Sequence, residues 1–338
     1  MNNQKKVAVV ILSWNGKKFL EQFLPSIVQH TSPELCEIIV ADNCSSDDSI
    51  QFVKANYPNI RIIQNTRNAG YAGGYNDALK HVDAKYYVLL NQDIEVTENW
   101  VERVVEEMER DENIAAAQPK LRDYYKREYF EYAGASGGYL DRNSYAFCRG
   151  RIFNTLEKDE GQYDDVKEIF WATGACLFVR SEVYWKAGAL DENFFAHQEE
   201  IDLCWRMKNM GYKIIVAPSS VIYHVGGGSL PQGNPRKTYL NFRNNLMMMF
   251  KNLSPSSLLF KMLWRFILDG VAAFHSVMKN RNFQDLVAIL KAHFSFYAAI
   301  PSLIKKRKQI PHPSSAHLTD VNILVQYFFK GKKKYSEL

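Results

Sequence analysis

Short unbroken apolar runs alternate with helically spaced ones through the first half of the chain. Val7–Leu12 is a continuous apolar strand, and Lys17–Gln29 places Phe19, Leu20, Phe23, Leu24 and Ile27 at helical spacing. Glu37–Ala41 predicts a second strand, and Asp47–Asn56 a helix with Ser45 or Ser46 as its N-cap. Arg61–Gln64 and Tyr71–Val82 repeat the pair. Tyr86–Leu90 then reads as a buried strand that surfaces at Asn91-Gln92-Asp93. A helix over Glu98–Arg110 and a short strand over Ile114–Gln118 follow. Such alternation with short connections predicts an α/β fold whose mostly parallel sheet is joined by right-handed crossovers. Regularity breaks down over Leu121–Asp165, among Gly134, Gly137, Gly138 and the acidic Glu157–Asp165. That stretch reads as an insertion or loop over a site. Glu168–Arg180 restores the pattern as a strand pair, or a strand and turn around Gly174, with a helix from near Ser181.

Beyond residue 235 the pattern is helical only, over Lys237–Lys251, Leu258–Val277 and Phe283–Leu303. The expected organisation is an α/β unit over residues 1–235 and a basic helical extension over 236–338. Leu258–Val277 carries Lys261, Arg265 and Asp269 at i, i+4 spacing, so it is amphipathic and not spanning. No run of about 18 uncharged apolar residues occurs, and no spanning helix is expected. Basic clusters at Lys305-Lys306-Arg307-Lys308 and at Lys330, Lys332, Lys333 and Lys334 lie beside these aromatic-rich helices. They suit docking on an anionic membrane surface. They equally suit a helical subdomain packed on the core with a solvated basic tail.

Composition narrows the class. The chain has 338 residues with 46% hydrophobic and 23% charged positions, enough for a sizeable core. A net charge of +5 without a dense basic stripe excludes a dedicated nucleic-acid binder. Cys36, Cys44, Cys148, Cys176 and Cys204 are odd in number and lack CxxC spacing. They read as reduced thiols of a cytoplasmic protein, not as a disulfide framework or zinc site. Met1–Lys6 is polar and leads straight into a strand, so no secretory signal is expected.

Candidate chemistry gathers at strand ends. Ser13-Trp14-Asn15 and Asp42-Asn43 end adjacent parallel strands, where Asp42 could accept from a base or a ribose; the alternative is capping of the following helices. Asn68-Ala69-Gly70-Tyr71-Ala72-Gly73-Gly74-Tyr75-Asn76 opens the third helix, and small residues there would let backbone approach a phosphate. Asp93 offers oxygen to a hard divalent cation. His224 leaves an apolar strand and enters Gly226-Gly227-Gly228-Ser229, as a ligand beside a close backbone approach would. Glu199, Glu200 and Asp202 crowd three carboxylates into four positions, which is costly unless they bind something. At helical spacing Glu199, Asp202 and Arg206 share a face and allow one salt-bridged cluster. Glu200 points elsewhere, free to act as a general base with a pKa raised by burial. The alternative is an acidic helix start favoured by the dipole.

Set in order, Ser13-Trp14-Asn15, Asp42-Asn43-Cys44-Ser45-Ser46-Asp47, Asn68-Ala69-Gly70 with Asn76, Leu90-Asn91-Gln92-Asp93, Thr173-Gly174-Ala175, Glu199-Glu200-Ile201-Asp202-Leu203 and His224 resemble one known pattern. Residues 7–230 look like a family 2 glycosyltransferase of the GT-A fold, close to the bacterial rhamnosyltransferase-like branch. The resemblance implies inverting transfer from a UDP- or dTDP-linked sugar to a glycan or lipid-linked saccharide, in cell-surface polysaccharide synthesis. It implies that Asp42 contacts the base, with Ser13, Asn15, Asn68, Gly70, Asn76, Asn91, Gln92 and Asp93 around the nucleotide sugar. Asp93 and His224 would hold Mg²⁺ or Mn²⁺. Glu200, with Glu199 and Asp202, would form the catalytic set; Thr173, Gly174 and Ala175 would border donor and acceptor, and Trp171 would stack on a sugar. A cytoplasmic enzyme, peripheral at the inner face of the plasma membrane, would suit such an acceptor. Two departures stand out: Asn91 replaces the first acid of the usual DxD, and Glu200 takes the place of the usual aspartate base on a longer side chain.

Rival classes fit less well. A sugar-phosphate nucleotidyltransferase or a nicotinamide oxidoreductase needs a glycine-rich loop after the first strand, and Ser13-Trp14-Asn15-Gly16 supplies none. A non-catalytic carbohydrate- or partner-binding module has little use for the whole acidic set.

Overall fold

The structure, a computed structural model, describes residues 5–226 and 233–338. Four apolar runs form the parallel half of the main sheet: β1 (Val7–Ser13), β2 (Cys36–Asp42), β3 (Arg61–Gln64) and β4 (Tyr86–Asn91). Their crossovers are α1 (Lys17–His30), α2 (Ser49–Asn56) and α3 (Gly70–Leu79). Successive β1 residues serve opposite faces, as a strand's period of two requires. Val7, Val9 and Ile11 pack with Leu20 and Leu24 of α1; Ala8 and Val10 pack with Ala72 and Tyr75 of α3. Register sets Ser13 opposite Asp42 and Leu12 opposite Asn91, so the polar strand ends line up along one edge.

Next come β5 (Ile94–Val96), α4 (Trp100–Glu109) and β6 (Ile114–Asp123). The irregular stretch is a small second sheet of β7 (Gly138–Leu140), β8 (Ala146–Cys148), β9 (Arg151–Ile152) and β10 (Thr155–Leu156). The chain returns as β11 (Lys167–Ile169), β12 (Cys176–Arg180), α5 (Ser181–Lys186), α6 (Glu199–Asn209) and β13 (Lys213–His224). Main-sheet order is β11-β13-β6-β12-β4-β1-β2-β3, with β5 on β13. The sheet is mixed on this side: β12 runs antiparallel between β4 and β6. β6 extends past the expected Gln118 to Asp123 because its outer half pairs with β13 beyond a bulge.

The extension is α7 (Pro235–Asn252), α8 (Pro255–Asn280) and α9 (Phe283–Arg307). Leu246, Met248, Phe296 and Leu303 belong to the same core cluster as Trp205 of α6, so residue 235 does not separate two cores. By length and composition α9 is apolar enough to cross a membrane, which departs from the sequence expectation, although 28% of its apolar window is buried against the protein. Half of the first basic cluster also turns inward. Lys306 pairs with Asp191, and Arg307 donates to the carbonyls of Phe250, Lys251 and Leu253 at the end of α7.

The joint between extension and sheet is ionic. Lys251 of α7 lies 2.7 Å from Asp191 and 2.8 Å from Asp202, all buried, and Arg206 reaches Asp202 at 2.9 Å. Burial opposes the charge on Asp191, but Lys251 and Lys306 outweigh it and hold that carboxyl well below the usual range. A buried pair that loses one partner leaves an uncompensated charge, at a cost of about 3–5 kcal/mol. Lys251→Met is therefore expected to lower the thermal unfolding midpoint sharply, whereas Lys305→Met, on an exposed side chain, leaves it unchanged.

Candidate active site

The expected donor edge lies where β1, β2 and β4 end. Asp42 is buried and accepts from the N–H of Ser45, closing a turn rather than capping α2. Ser45 and Ser46, expected as caps, bind Asn15 instead: Ser45 Oγ accepts from its N–H at 2.9 Å, and the Ser46 N–H donates to Asn15 Oδ1 at 2.8 Å. Asn15, at φ 49°, thus stitches the β1 and β2 loops together. Trp14 beside it is half exposed. A Cβ on Gly16 would stand 1.8 Å from Gln92 Oε1 and 2.7 Å from Ser13 Oγ, so that glycine lets Gln92 lie across the strand end. Both oxygens are buried without a hydrogen-bond partner, as atoms awaiting a ligand would be.

The glycines of α3 do another job. Gly70 has φ +71°, and a Cβ there would meet the Phe195 carbonyl at 2.4 Å; one on Gly74 would meet Asn43 Nδ2 at 2.9 Å. Asn68 Oδ1 accepts from Asn43 and from the Gly70 N–H. Close packing of loop on helix, not phosphate approach, explains this sequence. Asn76 is likewise internal: it donates to Leu190 O and accepts from Tyr184 Oη at 2.6 Å and from the Leu190 N–H. The structure therefore withdraws Asn76 from the nucleotide site.

Antiparallel pairing of β5 with β13 sets His224 opposite Ile94 and so beside Asp93. His224 Nε2 is 3.2 Å from Asp93 Oδ1, and its Nδ1 is 3.1 Å from Glu131 Oε1. Burial opposes charge on His224, but the two carboxylates prevail and raise its pKa well above the usual value. Burial likewise opposes charge on Asp93, and His224 outweighs it, holding that carboxyl below its usual range. Glu131, from the irregular insertion, was not singled out by its sequence context. The two carboxylates thus make the place of the His224 ring one that favours positive charge. Neighbouring octahedral ligands at about 2.1 Å from Mg²⁺ or Mn²⁺ stand about 3 Å apart, a spacing that Asp93 and His224 already have. Glu131, beside the far ring nitrogen, stands where a partner that orients a ligating histidine would stand. No group of three or more His, Cys, Asp or Glu converges on one point among the described residues. Gly227, Gly228 and Ser229 lie outside the described residues.

The expected acceptor edge, Thr173–Ala175 and the start of α6, lies beside the end of β4. The Asn91 N–H donates to Ala175 O, and the Tyr71 hydroxyl donates to Gly174 O. Thr173 Oγ1 accepts from the Ala175 N–H and fixes the turn. A Cβ on Gly174 would stand 3.7 Å from Glu200 Cβ, so the turn packs against the start of α6. Trp171 is not free to stack: it is buried against Gly138 and donates its Nε1–H to Tyr139 O. Glu199 does not join the ion cluster either. Asp202, Arg206 and Lys251 close it without Glu199, and Asn252 takes Asp202 Oδ1, so Asp202 anchors the helix rather than facing a substrate.

Glu199 and Glu200 are left as a pair without a cation. Glu199 is buried, Glu200 keeps a partly exposed flank, and the Oε2 atom of each is sealed without a partner. Burial, then the neighbouring Glu200, pushes Glu199 well above the ordinary carboxylate range. Burial pushes Glu200 up to about 7, with backbone hydrogen bonds at the helix start and from Gly174 holding it down in part. Near neutrality the pair therefore carries a single proton-accepting carboxylate, on Glu200. His197, just upstream, is pushed down to about 4 by burial and by Lys237, and stays neutral.

The model of glycosyl transferase family 2 matches residues 8–188, and the chain belongs to that family. It is a glycosyltransferase. It is 24% identical over 230 residues to the N-acetylglucosaminyl-diphospho-decaprenol L-rhamnosyltransferase of Mycobacterium tuberculosis, covering 64% of this chain and 75% of the relative. The low-salt glycan biosynthesis hexosyltransferase Agl10 of Haloferax volcanii is 23% identical over 251 residues, covering 71% and 74%. Among solved structures, S. aureus TarS 1-349 in complex with UDP-GlcNAc superposes with a TM-score of 0.57 at 15% identity, covering 98% of this chain and 93% of that one. The mannosyltransferase PcManGT of Pyrobaculum calidifontis, solved with GDP-Man and Mn²⁺, gives 0.53 at 14% identity, covering 97% and 88%. The fold is GT-A, with a helical region at its C-terminal end.

A carboxyl that folds into a site raising its pKa from 4.5 to about 7 favours the folded state while protonated. That contribution is complete below pH 4.5 and is lost as pH rises through 7. Glu200→Gln is accordingly expected to raise the melting temperature by a few degrees at pH 8 and by little at pH 4.5. Equal shifts at both values would show that Glu200 is not held in a charge-averse setting.

Proposed function

We propose that this glycosyltransferase moves a sugar from a UDP- or dTDP-linked donor to a hydroxyl of a glycan or lipid-linked saccharide, with inversion at the anomeric carbon. One observation supports the reading: the Glu200 carboxyl, pushed up to about 7 by burial, packs by Gly174 on the turn whose Ala175 carbonyl takes the Asn91 N–H. Two residues on, Asp93 meets His224 in a clamp suited to a cation. The donor's base lies by Asp42 and Trp14, with Ser13 Oγ and Gln92 Oε1 as open hydrogen-bonding atoms along the edge. Asp93 and His224 would hold the divalent cation, Mg²⁺ or Mn²⁺, which would supply positive charge against the leaving diphosphate. Asn91 supplies a neutral oxygen where an acid is usual. Glu200 takes the proton of the acceptor hydroxyl as its oxygen bonds to the anomeric carbon, opposite the departing diphosphate. Glu199, kept neutral by burial, leaves Glu200 as the only charge to be neutralised. The name of the mycobacterial relative, with its diphospho-decaprenol acceptor, supports a lipid-linked substrate met at the inner face of the plasma membrane.

Screening UDP, dTDP and GDP by thermal shift, with and without Mn²⁺, is expected to single out a uridine or thymidine diphosphate whose stabilisation grows with the ion. Glu200→Gln should keep that shift and lose about 10²–10⁴-fold in turnover, the usual worth of a general base. In the wild type, kcat/KM should climb as pH rises through about 7 and then level off. Turnover near wild type in the variant would move the base elsewhere. Glu131→Gln should weaken Mn²⁺ binding about 10–100-fold, the loss typical of an outer-shell partner, as read by ion titration of the thermal shift.

A further inference from the structure

On the two long helices of the extension, apolar residues face outward as well as inward. α8 turns Phe260, Trp264, Ile267, Val271, Phe274 and Met278 outward at spacings of three and four, from 42% to 74% exposed. α9 does the same with Phe283, Val287, Leu290, Phe294 and Tyr297. The inward side of α8 carries the polar groups: Arg265 and Asp269 are buried as an ion pair at 2.6 Å, and His293 of α9 closes on Asp269 at 3.1 Å. A water-facing helix places charge outside and apolar residues inside. Here fourteen of the 23 large hydrophobic side chains exposed among the described residues lie on this one hairpin. An apolar face of that extent marks a contact surface.

Charge selects the occupant. Residues 236–338 hold 17 of the 42 Lys and Arg but only 4 of the 37 Asp and Glu, so the extension stands at +13 and the rest of the chain at −8. The hairpin's two carboxylates are turned in: Asp269 to Arg265, and Asp285 to Thr238, Ser276 and Asn282. Arg281, Lys291, Lys305 and Lys308 remain exposed beside the apolar stripes. A second copy would set like charge against like, whereas an anionic bilayer adds about 1 kcal/mol of attraction per basic residue near it. Orientation follows from packing. α9 is fastened to the protein along its length, by Asp285 to Thr238, Ser295 to Tyr239 and Lys306 to Asp191. One side of α9 thus remains against protein, an arrangement that suits a hairpin lying flat on a surface.

A groove of about 710 Å³ opens from this face between α7 and α9, floored by Tyr239, Phe283 and Val287 and flanked by Arg236 and Lys291. Arg236 also lies 5.1 Å from the ring of Phe195, in the loop that presents Glu199 and Glu200. Apolar floor with cations at the rim is the chemistry of a lipid headgroup above its chains.

We propose that the outer face of the α8–α9 hairpin docks in the plane of an anionic phospholipid bilayer, with the groove at its end opening from the lipid toward the acceptor edge. The inference rests on a lipid-linked acceptor for its purpose, but not for its test. Full-length protein is floated with phosphatidylcholine vesicles, with or without phosphatidylglycerol, at low and high salt. It should rise with the anionic vesicles only, less so at high salt. Phe274→Glu with Phe294→Glu, and separately Lys291→Glu with Lys305→Glu, should each cut the bound fraction about tenfold while donor-induced thermal shifts stay unchanged. Wild-type protein left at the bottom of the gradient with anionic vesicles overturns the proposal. So does a dimer in solution that the phenylalanine variant splits, because the face then belongs to a second copy. Loss of docking in a protein still able to use a soluble acceptor would leave the transferase reading standing; docking without any nucleotide binding would do the reverse.

Discussion

The catalytic edge depends on α7 holding a strained loop. Phe195, His197 and Gln198 all have left-handed backbone, at φ 65°, 72° and 70°, immediately before the helix that carries Glu199 and Glu200. Such residues cost about 1–3 kcal/mol each and persist only where neighbours over-determine them. Buried Asn244 does so by setting its Nδ2 within 2.7–3.0 Å of the carbonyls of Phe194, Ala196 and His197. Asn245 and the Asn241 carbonyl take the side chain of Gln198, and Arg243 donates to Asn193 and Phe194. The extension is therefore the scaffold of the acceptor edge. Phe195 in turn reaches back to α3, where its carbonyl takes the Tyr71 N–H over a glycine.

That hold lets two opposite electrostatic settings coexist on one sheet edge. At the clamp, two carboxylates surround a histidine and favour positive charge. At the start of α6, buried Glu199 and partly buried Glu200 have no cation paired with them among the described residues, and the helix dipole alone cannot keep both ionised. The nearby cations are already committed, since Arg206 and Lys251 are spent on Asp202 and Asp191. The ion cluster thus does two things. It fastens α6 to α7, and it engages Asp202 while leaving Glu199 and Glu200 outside it.

One chain uses burial in contrary ways. In the α/β part, apolar residues go inside and the sheet carries a two-sided core. On the outer hairpin, the ion pair goes inside and the aromatic residues go out. α6, α7 and α9 share one core cluster, and α7 also shapes the loop before Glu199.

The sequence by itself determined the elements and much of their chemistry. Strand ends at Ser13, Asp42 and Asn91 follow from where apolar runs stop, and parallel crossovers bring such ends to one edge whatever the details. Glu200 was legible as the acid outside a helical ion pair, and Asp93 as the acid ending a buried strand. Tertiary structure decided which polar groups are free. Asn76 and Trp171 have the right types in the right places but are used up by Leu190, Tyr184 and Tyr139, partners from distant segments. Glu131 carried no local signal, because its role exists only through the fold that lays the insertion beside β13. The two readings of the extension were equal in sequence, since amphipathic helices look alike whichever face is covered. Side-chain packing alone tells which stripe is buried, and here the charged one is.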